Sequence, residues 1–428
     1  VYAIANIETE ARSVTTNTTP TEAFRGAGRP EATLSIERMM DIYAAEIGMD
    51  PVELRRRNLI AAADFPYTTA AGTEYDSGDY EASLDTALEA AGYAELRAEQ
   101  AARRESGDVK QLGIGVSIYV EVTAGPAPGG NEFAKVEIDG AGKARVYSGS
   151  FSHGQSHATT FAMIASDQLG MPIDDIEIIQ GDTDLVAQGS GTMGSRSTQL
   201  GGSAVFEAAG TVADKAKEIA ADLLEAAVDD VVLDTDAGAF HVAGSPAVAK
   251  SWADVAAAAE EGALVADTDF NANCSYPFGA HVAVVEVDTE TGGVRLERMI
   301  TCDDAGTMIN PMIVEGQRHG GIAQGVAQAL MEEVAYDEDG NPITTNFADY
   351  AIISMAELPS FELVPMETPT PNNPLGAKGI GESGAIGGTP AVQSAVVDAV
   401  AHLGVRHIDI PTTPERVWSA INEAKGNQ

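Results

Sequence analysis

Between Gly376 and Gly388 the chain carries six glycines in thirteen residues, with Lys378 and Glu382 as the only charges. A backbone so bare of side chains can approach a neighbouring element or a bulky ligand closely, and its surroundings must hold it, because glycine loses more conformational freedom on folding than any other residue. Gly379, Gly381 and Gly384 satisfy G-x-G-x-x-G. A dinucleotide turn needs a strand before it and an acid about 20 residues after it. Here Pro369, Pro371 and Pro374 precede the segment and no acid at a strand end follows at that offset. A Walker loop fails as well, since Lys378 is followed by Gly379 rather than a hydroxyl residue. What remains is one carboxylate, Glu382, projecting from an uncharged collar. The simple reading of any single acid among 65 is a solvated surface group; the bare collar and the apolar turn after it favour a functional one.

Two further segments share this character. Gln188 to Gln199 is rich in glycine and hydroxyls, contains Arg196 and leads directly into a helical pattern. Backbone N–H groups at a helix start suit a phosphate; the alternative is a polar capping loop. Gly149 to His157 also leads into a helix, with His153 and His157 spaced H-x3-H. The glycine between them argues against a helical metal pair, and no third ligand is evident. A Ser-His-Asp hydrolase is disfavoured, because no G-x-S-x-G elbow is present.

The remaining composition bounds the partners. Acidic residues outnumber basic ones 65 to 25, a formal net charge of −40, and only eight of the basic residues are lysines. A field of that sign repels nucleic acid and anionic membrane surfaces. An acid-rich, lysine-poor surface spread over the whole length suits a salt-loving source, where ions screen self-repulsion. No apolar run approaches the ~18 residues of a bilayer span. Cys274 and Cys302 are too few for a disulfide framework, so a reducing, cytoplasmic compartment is expected, with both as buried apolar residues. The first residue is Val1 and no signal or transit peptide is recognisable, so a fragment or a split chain is expected.

Periodicity predicts a mixed α+β fold in more than one lobe. Val1 to Thr19 is polar and β-prone. Ile36, Met39, Met40, Tyr43 and Ile47 form an apolar helical stripe that reads as core. Asp50, Pro51 and Glu53 start a second helix with a capping box. A helix is expected over 80–104, and strands over 112–120, 132–138, 144–147 and 176–179, the second and third joined as a hairpin. Further helices are expected over 156–169, 203–227 and 312–333, and a second hairpin over 280–301. Thr389-Pro390 and Thr413-Pro414 read as helix starts, proline being favoured at the first helical position. The face carrying Gln317, Arg318, His319 and Gln324 is more polar than a core helix requires; it suits either a cofactor or a helix or subunit contact.

Seven segments stand in a characteristic order: A-F-R-G-A-G-R-P-E-A (23–32), Y-D-S-G-D-Y (75–80), G-Q-S-H-A-T-T-F (154–161), G-D-T-D (181–184), G-S-R-S-T (194–198), D-D-A-G-T-M-I-N-P (303–311) and G-A-K-G-I-G-E-S-G (376–384). Together they resemble the molybdenum-binding large subunit of the xanthine dehydrogenase, aldehyde oxidase and aerobic carbon monoxide dehydrogenase family. The resemblance implies molybdopterin-binding domains. Residues 1–65 would be the end of a first cofactor-binding domain and 66–428 a second, with lobes near 106–265 and 270–428. It implies a molybdopterin cofactor, commonly the cytosine dinucleotide form, on Gly154, Gln155, Gly194, Ser195, Arg196, Ser197, Gln199 and Gly381, with Gln317 a weaker carry-over. Arg25 and Gly26 would lie beside the metal, and no side chain would bind it directly.

Glu382 would be the general base for attack by a molybdenum-bound hydroxyl, with hydride passing to the metal. Electrons would leave through Fe–S and FAD partner subunits, since this chain lacks cluster cysteines. In the carbon monoxide dehydrogenases of this family a cysteine that holds copper occupies the position of Gly26, so an aldehyde or N-heterocycle is the expected substrate and a carbon monoxide dehydrogenase large subunit the alternative among enzymes. Family subunits are longer and carry an N-terminal half with a glutamine near the metal, so that half is an expected partner. A scaffold chain that has lost its cofactor is the alternative outside catalysis.

Overall fold

A computed structural model describes residues 1–124, 130–186 and 188–426. The chain opens with helices α1 (Arg29–Ile47) and α2 (Pro51–Asn58), then a two-residue hairpin of β1 (Tyr67–Thr68) and β2 (Glu74–Tyr75). Helices α3 (Tyr80–Ala91) and α4 (Tyr93–Ser106) lead to β3 (Lys110–Val120). The middle of the chain contains β4 (Asn131–Ile138), β5 (Ala144–Ser148), α5 (His157–Leu169), β6 (Ile176–Ile179) and α6 (Ser203–Leu224). Three short strands follow, β7 (Val231–Asp234), β8 (Ala239–Val242) and β9 (Ala249–Ser251), then α7 (Trp252–Ala258) and β10 (Val265–Asn271). The last part contains β11 (Phe278–Asp288), β12 (Val294–Asp304), α8 (Pro311–Leu330), β13 (Glu362–Met366), α9 (Ser383–Val400) and α10 (Pro414–Gly426).

These strands build two four-stranded sheets of order β10-β4-β5-β6 and β13-β12-β11-β3. Both expected hairpins form antiparallel pairs, β4 with β5 and β11 with β12. The lobe limits drawn from sequence order put β3 with the first sheet, but it pairs with β11 along its whole length and closes the second. In the first lobe α5 and α6 bury Phe161, Leu169, Val205 and Val212 against Val136 and Val146. The second sheet is covered on both faces, as the two-residue period of a strand requires. Ala280, Val282 and Val284 of β11 face α3, and Ala283, Val285 and Val287 face α8 and α9.

Several expectations are corrected. The α1 stripe is not core: Met39 is 59% and Tyr43 55% exposed, with Ile36 and Ile47 exposed beside them. The helix instead buries Glu37, whose carboxylate accepts from Tyr2 Oη at 2.5 Å, Arg55 Nε at 2.8 Å and Ile118 N at 3.1 Å. A hydrogen-bonded charge cluster has taken the inward face, which apolar counting cannot detect. Val1 to Thr19 forms no strand and contributes one bridge, Tyr2 to Leu59. The helix over 80–104 breaks at Gly92, which adopts φ 67° and caps α3. Asp50 caps α2 as expected, accepting from Val52 N at 2.8 Å and Glu53 N at 3.1 Å, but Glu53 turns to Arg57 instead of completing the box. Asp50→Ala is expected to cost about 1 kcal/mol, read as a lower urea midpoint at unchanged slope.

Helix α9 starts at Ser383 and runs through Thr389-Pro390, so proline lies inside it rather than at its start. Packing decides this. The helix lies so close to β3 that a Cβ on Gly115 would fall 2.0 Å from Ala391 O, and so close to α8 that one on Gly384 would fall 2.6 Å from Ile322 N. Only bare backbone fits on those faces, and the contact outweighs the hydrogen bond that Pro390 cannot donate. Glu382 is thereby set at the start of a buried helix. Among the described residues, no helix is long and apolar enough to cross a membrane.

Candidate active site

Three of the sequence segments meet at one buried cation. Lys378 Nζ donates to Asp304 Oδ2 at 2.8 Å and to Ser77 O at 3.1 Å, with both charged side chains fully buried. The neighbouring Asp303 accepts from Tyr119 Oη at 2.7 Å and Arg318 Nε at 2.8 Å, and its Oδ1 lies 2.7 Å from His281 Nε2. Burial pushes the Asp303 carboxyl up, but His281, Arg318 and Tyr119 outweigh it and hold the group far below the usual range. These contacts fix the collar at Gly376–Gly381 against the C-terminal end of β12.

Glu382, at the N-cap position of α9, projects from this collar. Its Oε1 accepts from Gly26 N at 3.0 Å and its Oε2 from Ser195 Oγ at 2.7 Å. Arg25 secures the first contact. Its Nε donates to Gly381 O at 2.5 Å, Nη2 to Gln317 O at 3.0 Å and Gln317 Oε1 at 3.2 Å, and Nη1 to Gln324 Oε1 at 3.1 Å. Gly26 adopts φ 101°, where side chains are rarely found, and a Cβ there would stand 2.6 Å from Pro30 Cδ and 3.2 Å from Ile386 Cγ1. Ser195 sits at φ 52°, an uncommon backbone for serine. The two glycine-rich segments touch directly: a Cβ on Gly379 would meet Ser195 O at 2.1 Å, and one on Gly381 would meet Ser195 Oγ at 3.2 Å.

Arg25, Gly26, Ser195, Gln317, Gly381 and Glu382 therefore converge. The other candidates lie apart from Glu382 or turn inward. Arg196 does not offer its guanidinium to an anion: Nη1 donates to Glu132 Oε2 at 3.0 Å and Gly191 O at 2.9 Å, and Nη2 donates to Asn131 O. Its charge is neutralised and its fork is used in holding the loop. Ser197 Oγ donates to Thr192 Oγ1 at 3.1 Å within the same loop. Gly194 is exposed, and its carbonyl accepts from Ala124 N at 3.2 Å. Buried Gln199 accepts through Oε1 from Thr123 Oγ1 and Ser275 Oγ, and its Nε2 has no hydrogen-bond partner among the described residues. Gly154 is exposed with φ 104°, and Gln155 accepts from His153 N in its own loop. His157 stacks on Phe161, and burial lowers its pKa to about 4, so the ring is neutral.

Two acids escaped the sequence reading. Glu132 gathers Ser150 Oγ at 2.9 Å and Arg196, tying the loop after β5 to the Ser195 loop. Glu121, fully buried just beyond β3, lies 3.3 Å from Ser195 Oγ, accepts from Ser383 Oγ at 3.4 Å and hydrogen-bonds Glu382. Burial first, then the charge of Glu382 and the hydrogen bond between the two carboxyls, raise Glu121 well above the carboxylate range. At Glu382 burial also pushes upward. The hydrogen bonds from Glu121, Ser195 and Gly26 N, with the charge of Arg29, prevail and lower it. The two carboxyl groups are thus shifted in opposite directions, Glu121 upward and Glu382 downward. The available signal for Glu121 was an acid directly following the largely apolar run Leu112–Val120.

Residues 1–59 and 86–359 each match a family described as molybdopterin cofactor-binding domain. The carbon monoxide dehydrogenase large chain of Hydrogenophaga pseudoflava is 40% identical over 441 residues, covering 99% of this chain and 55% of that one. A crystal structure of a Cu,Mo-CO dehydrogenase in its carbon monoxide-reduced state matches with a TM-score of 0.88 at 37% identity, over 93% of this chain and 52% of that one. Quinoline 2-oxidoreductase from Pseudomonas putida 86 matches with a TM-score of 0.87 at 38% identity, over 94% and 53% respectively. The chain spans about half the length of the curated relatives it matches.

Proposed function

Because the chain belongs to the molybdopterin cofactor-binding family of molybdenum hydroxylase large subunits, we propose that it supplies the general base and one wall of the cofactor site in such an enzyme. The observation that carries this reading is the convergence on Glu382. An ionised carboxylate, partly open to solvent, is held by Gly26 N–H and Ser195 Oγ beside two bare glycine segments. The residues fit the expected cofactor: the glycines leave a side-chain-free cradle, and Gln199 Nε2 is a buried donor without a partner among the described residues, suited to a polar ligand. When bound, the cofactor supplies a Lewis-acidic, two-electron redox centre. Ser195, Gln199, Gly194 and Gly381 would hold it, with Gly154, Gln155, Gln317 and the main chain of Arg196 and Ser197 lining its approach. The chain's part in the chemistry is to take up a proton. Glu382 accepts it on one carboxylate oxygen, Gly26 and Ser195 keep the carboxylate oriented, and Arg25 locks the collar to α8.

The substrate we favour is a small aldehyde or N-heterocycle. Carbon monoxide chemistry, suggested by the relatives' names, would need a copper-holding side chain at position 26, where a Cβ meets Pro30 at 2.6 Å. The cytosine dinucleotide form of the cofactor is proposed with it. The electrons would pass to Fe–S and FAD subunits, because two cysteines cannot ligate a cluster. Both are unpaired, which suits the reducing cytoplasm. The uncovered apolar face of α1, with Ile36, Met39, Tyr43 and Ile47, suits packing against the remaining half of a large subunit. Purified from its native host, the complex is expected to contain stoichiometric molybdenum and pterin and to oxidise aldehydes or N-heterocycles but not carbon monoxide. A complex without molybdenum would leave the scaffold reading.

A further inference from the structure

We propose that Glu121 is the positioning residue of the Glu382 base: it keeps a proton between the two carboxyl groups and so holds Glu382 ionised and turned to the Gly26 loop. The inference rests on the reading of Glu382 as the base. Glu121 is fully buried just after β3, its backbone N–H bound to Pro277 O at 2.8 Å. Ser195 Oγ lies 2.7 Å from Glu382 and 3.3 Å from Glu121. That hydroxyl has a single proton for two carboxyl acceptors, and it goes to the closer one. Among the described residues no ion pair includes Glu121. The groups facing it are Glu382, Arg29, Arg25 and Tyr119, with the arginines acting through charge at a distance. Two carboxyl groups in contact, one fully buried and one half-buried, without a directly paired cation, do not both ionise readily. The more deeply buried Glu121 therefore retains the proton and donates to Glu382.

The arrangement gives Glu382 three donors: Glu121, Ser195 and Gly26. Each stabilises its ionised form and restricts its rotation. The pair carries one proton in the resting site and two once Glu382 has acted, so Glu121 neither gives up nor gains a proton in the cycle. Its contribution is to aim and to hold the base, while the reacting atoms meet only Glu382.

The test uses the assembled complex with two replacements. Glu121→Gln keeps a neutral donor, and Glu121→Leu removes it. Infrared difference spectra between H2O and D2O are expected to show a protonated carboxyl in the wild type at neutral pH and to lose that band in Glu121→Gln. In turnover, Glu121→Gln should keep the wild-type acid limb of kcat/KM. Glu121→Leu should move that limb up by roughly one pH unit, with kcat down roughly ten- to a hundredfold and KM within about twofold. A carboxyl band that survives unchanged in Glu121→Gln, or an acid limb in Glu121→Leu coincident with the wild type, overturns the proposal. Where Glu121→Leu does not fold, the band in Glu121→Gln decides. An active Glu382→Gln enzyme would instead remove the base reading and leave the Glu121 band in place, so the two failures are separable.

Discussion

Glu382→Gln is expected to lose kcat by about a thousandfold or more while molybdenum and pterin content stay at wild-type levels. General base catalysis contributes about 10²–10⁴ in rate, and the isosteric amide keeps its oxygen toward Gly26 N–H but cannot take up a proton. Metal analysis and turnover on the same preparation check it; retained turnover at full cofactor content would refute the role. The pH dependence follows from the direction of the shift. A base works deprotonated, and the hydrogen bonds and Arg29 that outweigh burial hold Glu382 below the ordinary glutamate value. Activity should therefore persist through the ordinary carboxylate titration range and fall only at more acid pH. The same depressed pKa adds stability above the unfolded-state value, which is lost as pH falls through the folded one. Glu121 has the opposite sign: raised by burial and by Glu382, it contributes stability at low pH that declines as pH rises.

Gly26→Cys is expected to destabilise the chain by about 2–6 kcal/mol, from a side chain forced to positive φ and from overpacking against Pro30 and Ile386. Thermal unfolding of the complex reads it directly. Gly26→Ala should lose nearly as much, since the clash begins at Cβ. The variant should also show no copper-dependent oxidation of carbon monoxide, because relieving the clash pulls Gly26 N–H away from Glu382. A Gly26→Ala protein as stable as the wild type would show that the loop tolerates a side chain and would reopen the carbon monoxide reading.

Much of this site was legible because its elements are local: a bare glycine collar, one acid projecting from it and a hydroxyl-rich loop are visible in short windows. The juxtaposition of Glu382 with Ser195 and Gly26 came from the family likeness, since no spacing rule brings positions 26, 195 and 382 together. What escaped was decided by tertiary contact. Helical spacing identified a stripe on α1 but not which face is covered, and Glu37 with Arg55 took the inward side. The propensity of Thr389-Pro390 marked a start that backbone-to-backbone packing overrode. Arg196 looked like a phosphate ligand until its partner, Glu132, was found 64 positions earlier.

The cation that ties the collar to the sheet lies in the dry interior, as do the pairs Arg55–Glu37 and Arg318–Asp303. Dissolved electrolyte works within a Debye length of wetted charge and hardly reaches such places. Changing the brine around this protein should therefore relax or tighten its acidic skin, where the 40 excess negative charges repel one another, while the Glu382 carboxylate keeps its aim from dilute buffer to saturated salt.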